Sequence, residues 1–497
     1  MKKTNMNSKE RKRSKNVWGN IFLVLQLIIS VILLGTMYLM NIFSFNHFVA
    51  IGVVLLILWL IGLLSQIRRK KHGIIGKIYI ILVTLILSLG SYYLAKVTGA
   101  LEVITGNNVK VDTMVVAVLK NDPATDIYDA YNYKYGVQYR VNSEDMEETI
   151  DHINEKIGMD IKTKDYQEIN KQVKALFDKE VKAIIYNEGY QSILDEEFEG
   201  YSDKVKIIYQ YNIKTKMDDM VSNVKVKEEP FSVYLSGIDV YGDISKNSRS
   251  DVNIIATINP KSHQILLIST PRDYFVEIPG VSKGKKDKLT HAGLYGVDVS
   301  IDTLSELYEM KIPFYARVNF TSLIEIVDQL GGLDVYSDAA FTTGWESGKE
   351  ITVKKGMNHF NGEEALAFSR ERKNLPDGDN ARGRHQQAVI TAMIKKMVSP
   401  SMLLRANGLI NSVSGNVETN MSKSQLQALV KTQLNEGDSW NIASVSAEGE
   451  GKKAICYSAP RQELYVTEPD YKSVEKIIEL VNRVEKGEIL EDSEITE

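Results

Sequence analysis

Three long apolar segments in the first hundred residues constrain the fold of this chain more than any other feature. They cover about residues 17–45, 48–67 and 74–94, and each matches or exceeds the roughly 20 residues that a helix needs to cross a bilayer core. A cleaved signal peptide is the alternative for the first segment, but that segment is too long, lacks a small-residue cleavage site and is followed by two more. The sequence therefore predicts three membrane-spanning helices.

Basic residues are distributed unevenly around these apolar segments. Seven precede the first segment and five lie within residues 68–77, whereas the short loop after the first segment carries no Lys or Arg. Positively charged loops remain in the cytoplasm. We therefore expect a multi-pass protein of the cell membrane, with a cytoplasmic N-terminus and with everything after about Lys96 outside the cell.

The length of the chain and its segregated charge indicate several units. A chain of 497 residues favours two or three folded units. Residues 1–100 contain thirteen Lys and Arg against one acid, so the remainder carries a formal charge of −16, although the whole chain carries only −4. Such an acidic portion is not expected to bind nucleic acid. We predict a cytoplasmic tail with three transmembrane helices (1–100), an extracellular accessory domain (101–228) and a larger domain (229–490).

The two outer parts differ in their sequence patterns. The first opens with a strand pattern, "TMVVAVLK", followed by amphipathic helical segments, and is interpreted as a small α/β accessory or spacing unit. The second opens with the β-branched runs "FSVYLSG", "DVNIIATINP" and "QILLIST", after which helical patterns such as "VSIDTLSELYEM" alternate with strands. This alternation predicts an α/β class, with a layered α/β/α domain that has helices on both faces of a central mixed sheet.

Several common kinds of site are excluded by the sequence. Cys456 is the only cysteine, so an internal disulfide and a thiol-based metal site are impossible, and we expect a buried small residue there. The chain has no CxxC, HExxH, GxSxG or Walker glycine motif, and its seven histidines lack ligand spacing.

Charged residues gather where the predicted strands of the larger domain end. Asp239 follows the first strand, Arg249 and Asp251 lead into the second, and Arg272 and Asp273 leave the third. Because sheets of this kind hold ligands at the ends of their strands, these residues predict a cleft. Solvated loop charges are the alternative for each residue taken alone.

The stretch "AFSRERKNLPDGDNARGRHQQ", residues 367–387, predicts the end of one helix, a turn and the start of another. The first helix has a capping box at Asn361 and leaves Arg370 and Arg372 at its last turn. The second begins near Asp379 or Asn380 and places Asp379, Arg382 and Gln386 on one stripe, with Arg384 on another face. A helix N-terminus with arginines favours an anion, and phosphate suits guanidinium groups best. Surface ion pairs are the alternative.

The ordered motifs of the larger domain resemble a known family. The segments "SGID", "RSDVNIIATINP", "LLISTPRDYFVEIPG", "YARVNFTSLIEIVDQLGGLDV", "GMNHFNGEEALAFSRERK" and "DNARGRHQQAVI" are similar to those of the LytR-CpsA-Psr family of Gram-positive bacteria, most of all its capsule-associated branch. The resemblance extends from about Phe231 to the C-terminus. The three-span anchor and the accessory unit also look like the arrangement of capsule-type members.

The resemblance implies a membrane-anchored phosphotransferase in residues 229–490. It would move a glycopolymer, capsular polysaccharide or teichoic acid, from an undecaprenyl-pyrophosphate carrier to a peptidoglycan hydroxyl through a phosphodiester. Capsule-synthesis membrane proteins are further implied partners. The implied cofactor is Mg²⁺, with Mn²⁺ as the alternative ion. A polyprenyl-pyrophosphate hydrolase and a non-catalytic regulator of capsule synthesis remain the alternative functions, because the same phosphate site would serve hydrolysis or binding.

The resemblance also assigns roles to individual residues. Its metal ligands correspond to Asp239 and Asp251, and its catalytic residues to Asp251, Arg372, Asp379 and Arg382. The implied pyrophosphate-binding residues are Arg249, Arg272, Arg370, Arg372, Arg382 and Gln386. Asp251 and Asp379 are both candidates for the general base, and Thr290 receives no role. A polyprenyl chain also requires an apolar groove, and residues 388–404 form a helix that could line it or belong to the core.

Overall fold

Three apolar helices open the chain in a computed structural model that describes residues 8–40, 45–67, 73–105, 109–139, 143–216, 223–238, 244, 248–375, 378–399, 417–437, 439–460 and 462–491. They are α1 (Ser8–Met40), α2 (Phe45–Ile67) and α3 (Gly73–Thr105). Within them, Trp18–Leu39, Phe45–Gln66 and Ile74–Tyr92 are long and apolar enough to cross a membrane. The prediction of three spanning helices is therefore confirmed.

A five-stranded sheet follows the three helices. The elements of this part are β1 (Val109–Leu119), β2 (Lys134–Val137), α4 (Ser143–Ile157), β3 (Lys162–Asp165), α5 (Ile169–Phe177), β4 (Ala183–Asn187), α6 (Gln191–Glu197), α7 (Tyr201–Lys204) and β5 (Val205–Lys216). The strand order in the sheet is β3-β2-β4-β1-β5. Its strands alternate buried residues between two faces, as the pleat of a strand requires. Val116 packs toward α4 with Met146 and Ile153, while Val115 packs toward α5 with Val173.

A second α/β unit occupies the rest of the chain. Its first half contains β6 (Phe231–Ile238), β7 (Ser250–Asn259), β8 (Gln264–Ser269), β9 (Phe275–Glu277), β10 (Lys286–Lys288), α8 (Leu289–Ala292), α9 (Val297–Leu307), β11 (Phe314–Val318), α10 (Phe320–Gln329) and β12 (Leu333–Ser337). Its second half contains β13 (Phe341–Thr342), β14 (Thr352–Val353), β15 (Gly356–Phe360), α11 (Gly362–Arg370), α12 (Asp379–Met397), β16 (Val417–Thr419), α13 (Lys423–Glu436), β17 (Asn441–Ser446), β18 (Gly449–Ala454), β19 (Leu464–Pro469) and α14 (Tyr471–Glu485).

The core of this unit is a six-stranded mixed sheet, in the order β16-β11-β6-β7-β8-β17. Strands β6 and β11 are parallel, as are β8 and β17, and the other pairs are antiparallel. Ile255 faces α9 and α14, whereas Ile254 and Leu267 face Ile390 and Ile394 of α12. Helices cover both faces, so the predicted α/β/α layering around a mixed sheet is confirmed.

The strand directions bring several chain segments to one edge of the sheet. Ile238 at the end of β6 pairs with Ser250 at the start of β7, and Ser269 at the end of β8 pairs with Ile254 of β7. The parallel strand β11 also ends there, at Val318. The expected gathering of polar residues at this edge follows directly from this register.

Two features of the fold differ from the sequence interpretation. Strand β12, expected to belong to the alternating layer, pairs with β15 in a separate two-stranded sheet, and both edge strands of the central sheet, β16 and β17, come from the C-terminal part of the chain. Helix α11 ends at Arg370, so Arg372 lies beyond its last turn. The three domain boundaries remain predictions.

Candidate functional site

A cavity of about 490 Å³ lies at the edge of the sheet where β6, β7, β8 and β11 meet. Predicted site residues from four separate parts of the sequence line it together, namely Asp251, Arg272, Arg370, Arg372, Arg382 and Gln386. Four of them, Asp251, Arg272, Arg382 and Gln386, also line a smaller adjoining cavity of about 20 Å³. The sequence thus identified residues that the fold brings to one place.

The cavity combines a charged part with an apolar wall. Five cations and three carboxylates line it, which gives an excess of positive charge in an otherwise acidic portion of the chain. The apolar wall consists of Ile238, Val252, Val318, Phe320, Leu323 and Leu366. This composition suits a ligand with an anionic head group and an apolar tail.

Asp251 and Arg272 form the best-defined ion pair of the cavity. Arg272 Nη1 donates to Asp251 Oδ2 at 2.6 Å, and the Thr290 hydroxyl donates to Asp251 Oδ1 at 3.1 Å. On its other side, Arg272 Nε lies 3.7 Å from Asp273, which also pairs with Lys288 at 3.1 Å. Burial would raise the pKa of Asp273, but Lys288 and Arg272 hold it below the ordinary value. Asp273 therefore remains ionised and helps to position Arg272.

Helix α11 brings Arg370 to the cavity by packing closely on α10. A side-chain Cβ at Gly362 would overlap the carbonyl oxygen of Ile324, so only glycine permits this approach. The predicted capping box between Asn361 and Glu364 is present. At the other end of the helix, the Arg370 guanidinium lies 4.3 Å from the centre of the Phe320 ring, within the range of a cation–π contact.

Glu371 orders the loop that carries Arg372, a role that sequence reasoning missed. It is only 2% exposed and accepts hydrogen bonds from the backbone N–H groups of Gly344, Arg372 and Asn374 and from the Ser347 hydroxyl. Burial would raise the pKa of Glu371, but these hydrogen bonds lower it below the ordinary value. In the sequence, an acid among arginines predicts a surface ion pair. Only the fold shows that this carboxylate is buried and holds the surrounding loops by hydrogen bonds.

Helix α12 presents Arg382 and Gln386 to the cavity, as its predicted polar stripe requires. Arg382 is 8% exposed, and Gln386 Nε2 donates to the Ser369 carbonyl oxygen at 3.4 Å. Arg384 lies on the opposite side, where it pairs with Asp338 at 3.5 Å and lines a separate groove of about 820 Å³. In the described part of the helix after Gln387, Val389, Ile390, Met393 and Ile394 pack against the core, whereas Met397 is exposed. The apolar wall of the cavity thus comes from other elements.

His385 of α12 lies against two aromatic rings. Its ring stacks on Phe368 at 4.1 Å and on Phe341 at 5.1 Å between centroids. Burial lowers the pKa of His385 to about 4, although Asp338 acts in the opposite direction. The imidazole is therefore neutral at pH 7 and serves as a packing group beside the site.

We expect the free energy of unfolding to fall by about 3 kcal/mol between about pH 6.5 and pH 4 because of His385. Between these pH values the imidazole of the unfolded chain binds a proton, whereas the buried imidazole of the folded chain stays neutral. The contribution of His385 to folding stability is therefore complete above the window and is lost as the pH falls. Urea denaturation at several pH values checks this. A His385→Phe variant should show a shallower pH dependence, and an unchanged slope would contradict the assignment.

The remaining predicted site residues are placed differently. Asp239 lies outside the described residues. The backbone of Asp379 forms the start of α12, but its side chain is not among the described ones. Arg249 is half-buried just before β7 but does not line the 490 Å³ cavity. Thr290, which received no role, contacts Asp251 directly.

The described residues contain no group of three or more His, Cys, Asp or Glu side chains arranged around a metal site. The cavity nevertheless offers Asp251, a half-buried carboxylate. Magnesium is commonly bound by one or two carboxylates together with substrate phosphates. The donor chemistry of the cavity therefore fits Mg²⁺ when phosphate is present.

Comparisons with known sequences all match the chain to one protein family. A sequence model of the LytR_cpsA_psr family matches residues 195–473. The polyisoprenyl-teichoic acid–peptidoglycan teichoic acid transferase TagU of Bacillus cereus (strain AH820) is 35% identical over 259 residues, which are 52% of this chain and 82% of TagU. TagV of Bacillus subtilis (strain 168), a transferase of the same description, is 30% identical over 322 residues, 63% of this chain and 78% of TagV.

A solved structure also matches part of the chain. The crystal structure of B. subtilis TagV matches with 31% identity and a TM-score of 0.45, covering 52% of this chain and 98% of that one.

Proposed function

Because the chain belongs to the LytR_cpsA_psr family, we propose that it transfers a glycopolymer from an undecaprenyl-pyrophosphate carrier to a peptidoglycan hydroxyl. The proposed polymer is a capsular polysaccharide, with teichoic acid as the alternative. The observation that carries this proposal is the single cavity in which Asp251 and four arginines meet an apolar wall. A pyrophosphate would bind among the arginines and the first part of the polyprenyl chain along the wall.

The proposed reaction replaces the phosphoanhydride bond of the donor with a phosphate ester bond to the acceptor. The acceptor hydroxyl oxygen attacks the phosphorus that bears the polymer, and the bond from this phosphorus to the bridging oxygen breaks. The products are a phosphodiester between polymer and peptidoglycan and a polyprenyl phosphate. The hydroxyl proton passes to a carboxylate, for which Asp251 and Asp379 are the candidates. Arg272, Arg370, Arg372 and Arg382 would hold the oxygens on which negative charge accumulates.

Magnesium is the proposed cofactor, with manganese as the alternative ion. Asp251 would hold it together with substrate phosphate oxygens, and Asp239 is the second proposed ligand. When bound, the ion would neutralise charge on the pyrophosphate. Arg272 and Thr290 would orient Asp251 toward it, since both contact its carboxylate oxygens.

The proposed location follows from the three apolar helices and the basic residues near them. A cytoplasmic N-terminus would place the sheet domains outside the cell, where both the lipid carrier and the wall are accessible. The capsular assignment is supported by the additional five-stranded sheet before the catalytic unit, which suits the resemblance to capsule-associated members. The relatives above are named for teichoic acid, so both polymers belong in the assay.

Supplying the purified full-length protein with a lipid-linked polymer, Mg²⁺ and peptidoglycan fragments tests the proposal. Polymer joined to the fragments through a phosphodiester supports transfer. Free phosphorylated polymer would instead indicate hydrolysis, and the absence of both products would favour a regulator. Parallel reactions with a capsular and a teichoic acid donor decide between the two polymers.

We expect Asp251→Asn to reduce transfer by about a hundredfold or more and to weaken Mg²⁺ binding by at least about tenfold. The change removes a charge while preserving the shape of the side chain. Activity as a function of Mg²⁺ concentration, and Mg²⁺ binding measured by calorimetry in the presence of a non-reacting pyrophosphate, check the two effects. Asp334→Asn, an exposed carboxylate outside the cavity, is the control, and equal losses in both variants would contradict the role of Asp251.

A further inference from the structure

Another cavity lies between the unit built on the five-stranded sheet and the unit that contains the 490 Å³ cavity, here called the catalytic unit. Its volume is about 80 Å³, and its lining comes from both units. The contact around it is fixed by apolar packing. Tyr190 lies edge-on to Tyr295 with ring centroids 6.0 Å apart, and Ile193 is buried in a cluster with Ile278 and Leu294. The cavity is therefore part of a packed interface.

Asn170 forms the floor of this cavity and carries unsatisfied hydrogen-bonding groups. The residue is 1% exposed, and neither its Nδ2 nor its Oδ1 has a hydrogen-bond partner among the described residues. Gln172, two residues further along α5, also has an unsatisfied side-chain oxygen and lines a different cavity of about 20 Å³. Buried amides without partners are costly, so a ligand that satisfies them would bind favourably.

On the opposite wall of the cavity, the polar groups of Ser458 already have hydrogen-bond partners, so Ser458 does not bind the ligand. Its N–H and hydroxyl donate to Asp287, and its hydroxyl also lies 2.9 Å from His291 Nδ1. These three residues do not form a catalytic triad, since the acid and the serine both meet the same imidazole nitrogen. The network instead fixes the loop that carries Tyr457.

The chemistry of the lining identifies the class of ligand. Tyr190, Tyr295 and Tyr457 line the cavity together with Asn170. The lining also contains one acid, Glu168, and one base, Lys285, whose charges cancel. Adjacent sugar hydroxyls satisfy a side-chain amide well, because one donates to its oxygen while the other accepts from its nitrogen. Aromatic rings cover the apolar faces of a sugar. A phosphate would lack the net positive charge that it requires.

We propose that this interface cavity binds one uncharged sugar residue of a glycan. The cavity has room for about two or three water molecules. Only one edge of a sugar ring therefore enters it. Gln167, Lys285 and Pro460 are exposed at the mouth, where the glycan continues into solvent. The accessory unit would then hold a glycan beside the catalytic unit, a function independent of the proposed transfer site.

Binding to the full-length protein, in a detergent without a sugar head group, tests this proposal. The probes are N-acetylglucosamine trisaccharide, maltotriose and inorganic phosphate, titrated by calorimetry. Saturable binding of either sugar supports the proposal. The N-acetylated probe would indicate a peptidoglycan-type glycan, and maltotriose a polymer of neutral hexoses. Binding of phosphate in place of both sugars, or no binding at all, would overturn it and leave only water in the cavity.

Variants locate the bound sugar. Asn170→Leu should weaken binding by about tenfold or more, the effect of losing two hydrogen bonds, and should raise the melting temperature without ligand because it removes unsatisfied polar atoms. Tyr457→Ala is the second variant should Asn170→Leu fail to fold. Lys174→Ala, exposed on the same helix, should bind normally. Arg382→Ala should also retain sugar binding, and loss of binding there would assign the sugar to the transfer site and overturn the proposal.

Discussion

Replacing Arg382 by alanine is expected to reduce glycopolymer transfer by about a thousandfold, with little change in the free energy of unfolding. Arg382 is 8% exposed and lines both the large cavity and the smaller one that adjoins it. It occupies the first turn of α12, where the positive end of the helix dipole adds to its charge. A guanidinium preorganised in this way stabilises the charge that develops during phosphoryl transfer.

Arg384→Ala is the matched control for this prediction. The same substitution is made two residues further along the same helix, but Arg384 faces the separate groove and pairs with Asp338. Rates with a lipid-linked donor and peptidoglycan fragments, together with urea denaturation of each variant, separate catalysis from folding. An Arg382→Ala protein with full activity would remove α12 from the site, and equal losses in both variants would indicate a general effect of charge.

The residues that line the cavity were predictable where the sequence pattern fixes the direction of a side chain. Arg382 and Gln386 lie four positions apart on a helix, so they share a face, and Arg384 between them cannot. Asp251 and Arg272 lie at strand ends that the antiparallel register of β7 and β8 brings to one edge. The capping box at Asn361 likewise fixed the start of α11.

Other parts of the site depend on contacts that the sequence does not specify. Glu371 differs from a surface acid only in its burial and in the four donors that converge on it. Thr290 meets Asp251 because β10 and α8 return to the edge of the sheet, a connection 39 residues away in sequence. The edge strands β16 and β17 are short and half-polar, so periodicity alone could not assign them to the central sheet.

A buried ion pair in β11 and β16 lies next to the cavity-lining residue Val318 and links the sheet to Ile244, in the segment after β6. Arg317 of β11 pairs with Glu418 of β16, and both side chains are almost fully buried. Arg317 Nη2 also donates to the Ile244 carbonyl oxygen at 2.8 Å, and Tyr315 donates its hydroxyl to Glu418 at 3.0 Å. The pair thus connects the edge of the sheet with the segment that leads from β6 to β7.

We expect Glu418→Ala to lower the free energy of unfolding by about 3–5 kcal/mol, because it leaves the Arg317 charge buried without its carboxylate. Glu468→Ala is the control, since it removes a glutamate whose pairs with Lys286 and Lys452 are partly exposed, and it should cost at most about 1 kcal/mol. Urea denaturation measures both. Adding Arg317→Met to Glu418→Ala should restore part of the loss, because the desolvated charge disappears with it. If Arg317→Met instead lowers the free energy of unfolding further, the cost of Glu418→Ala comes from lost packing and not from an unpaired buried charge.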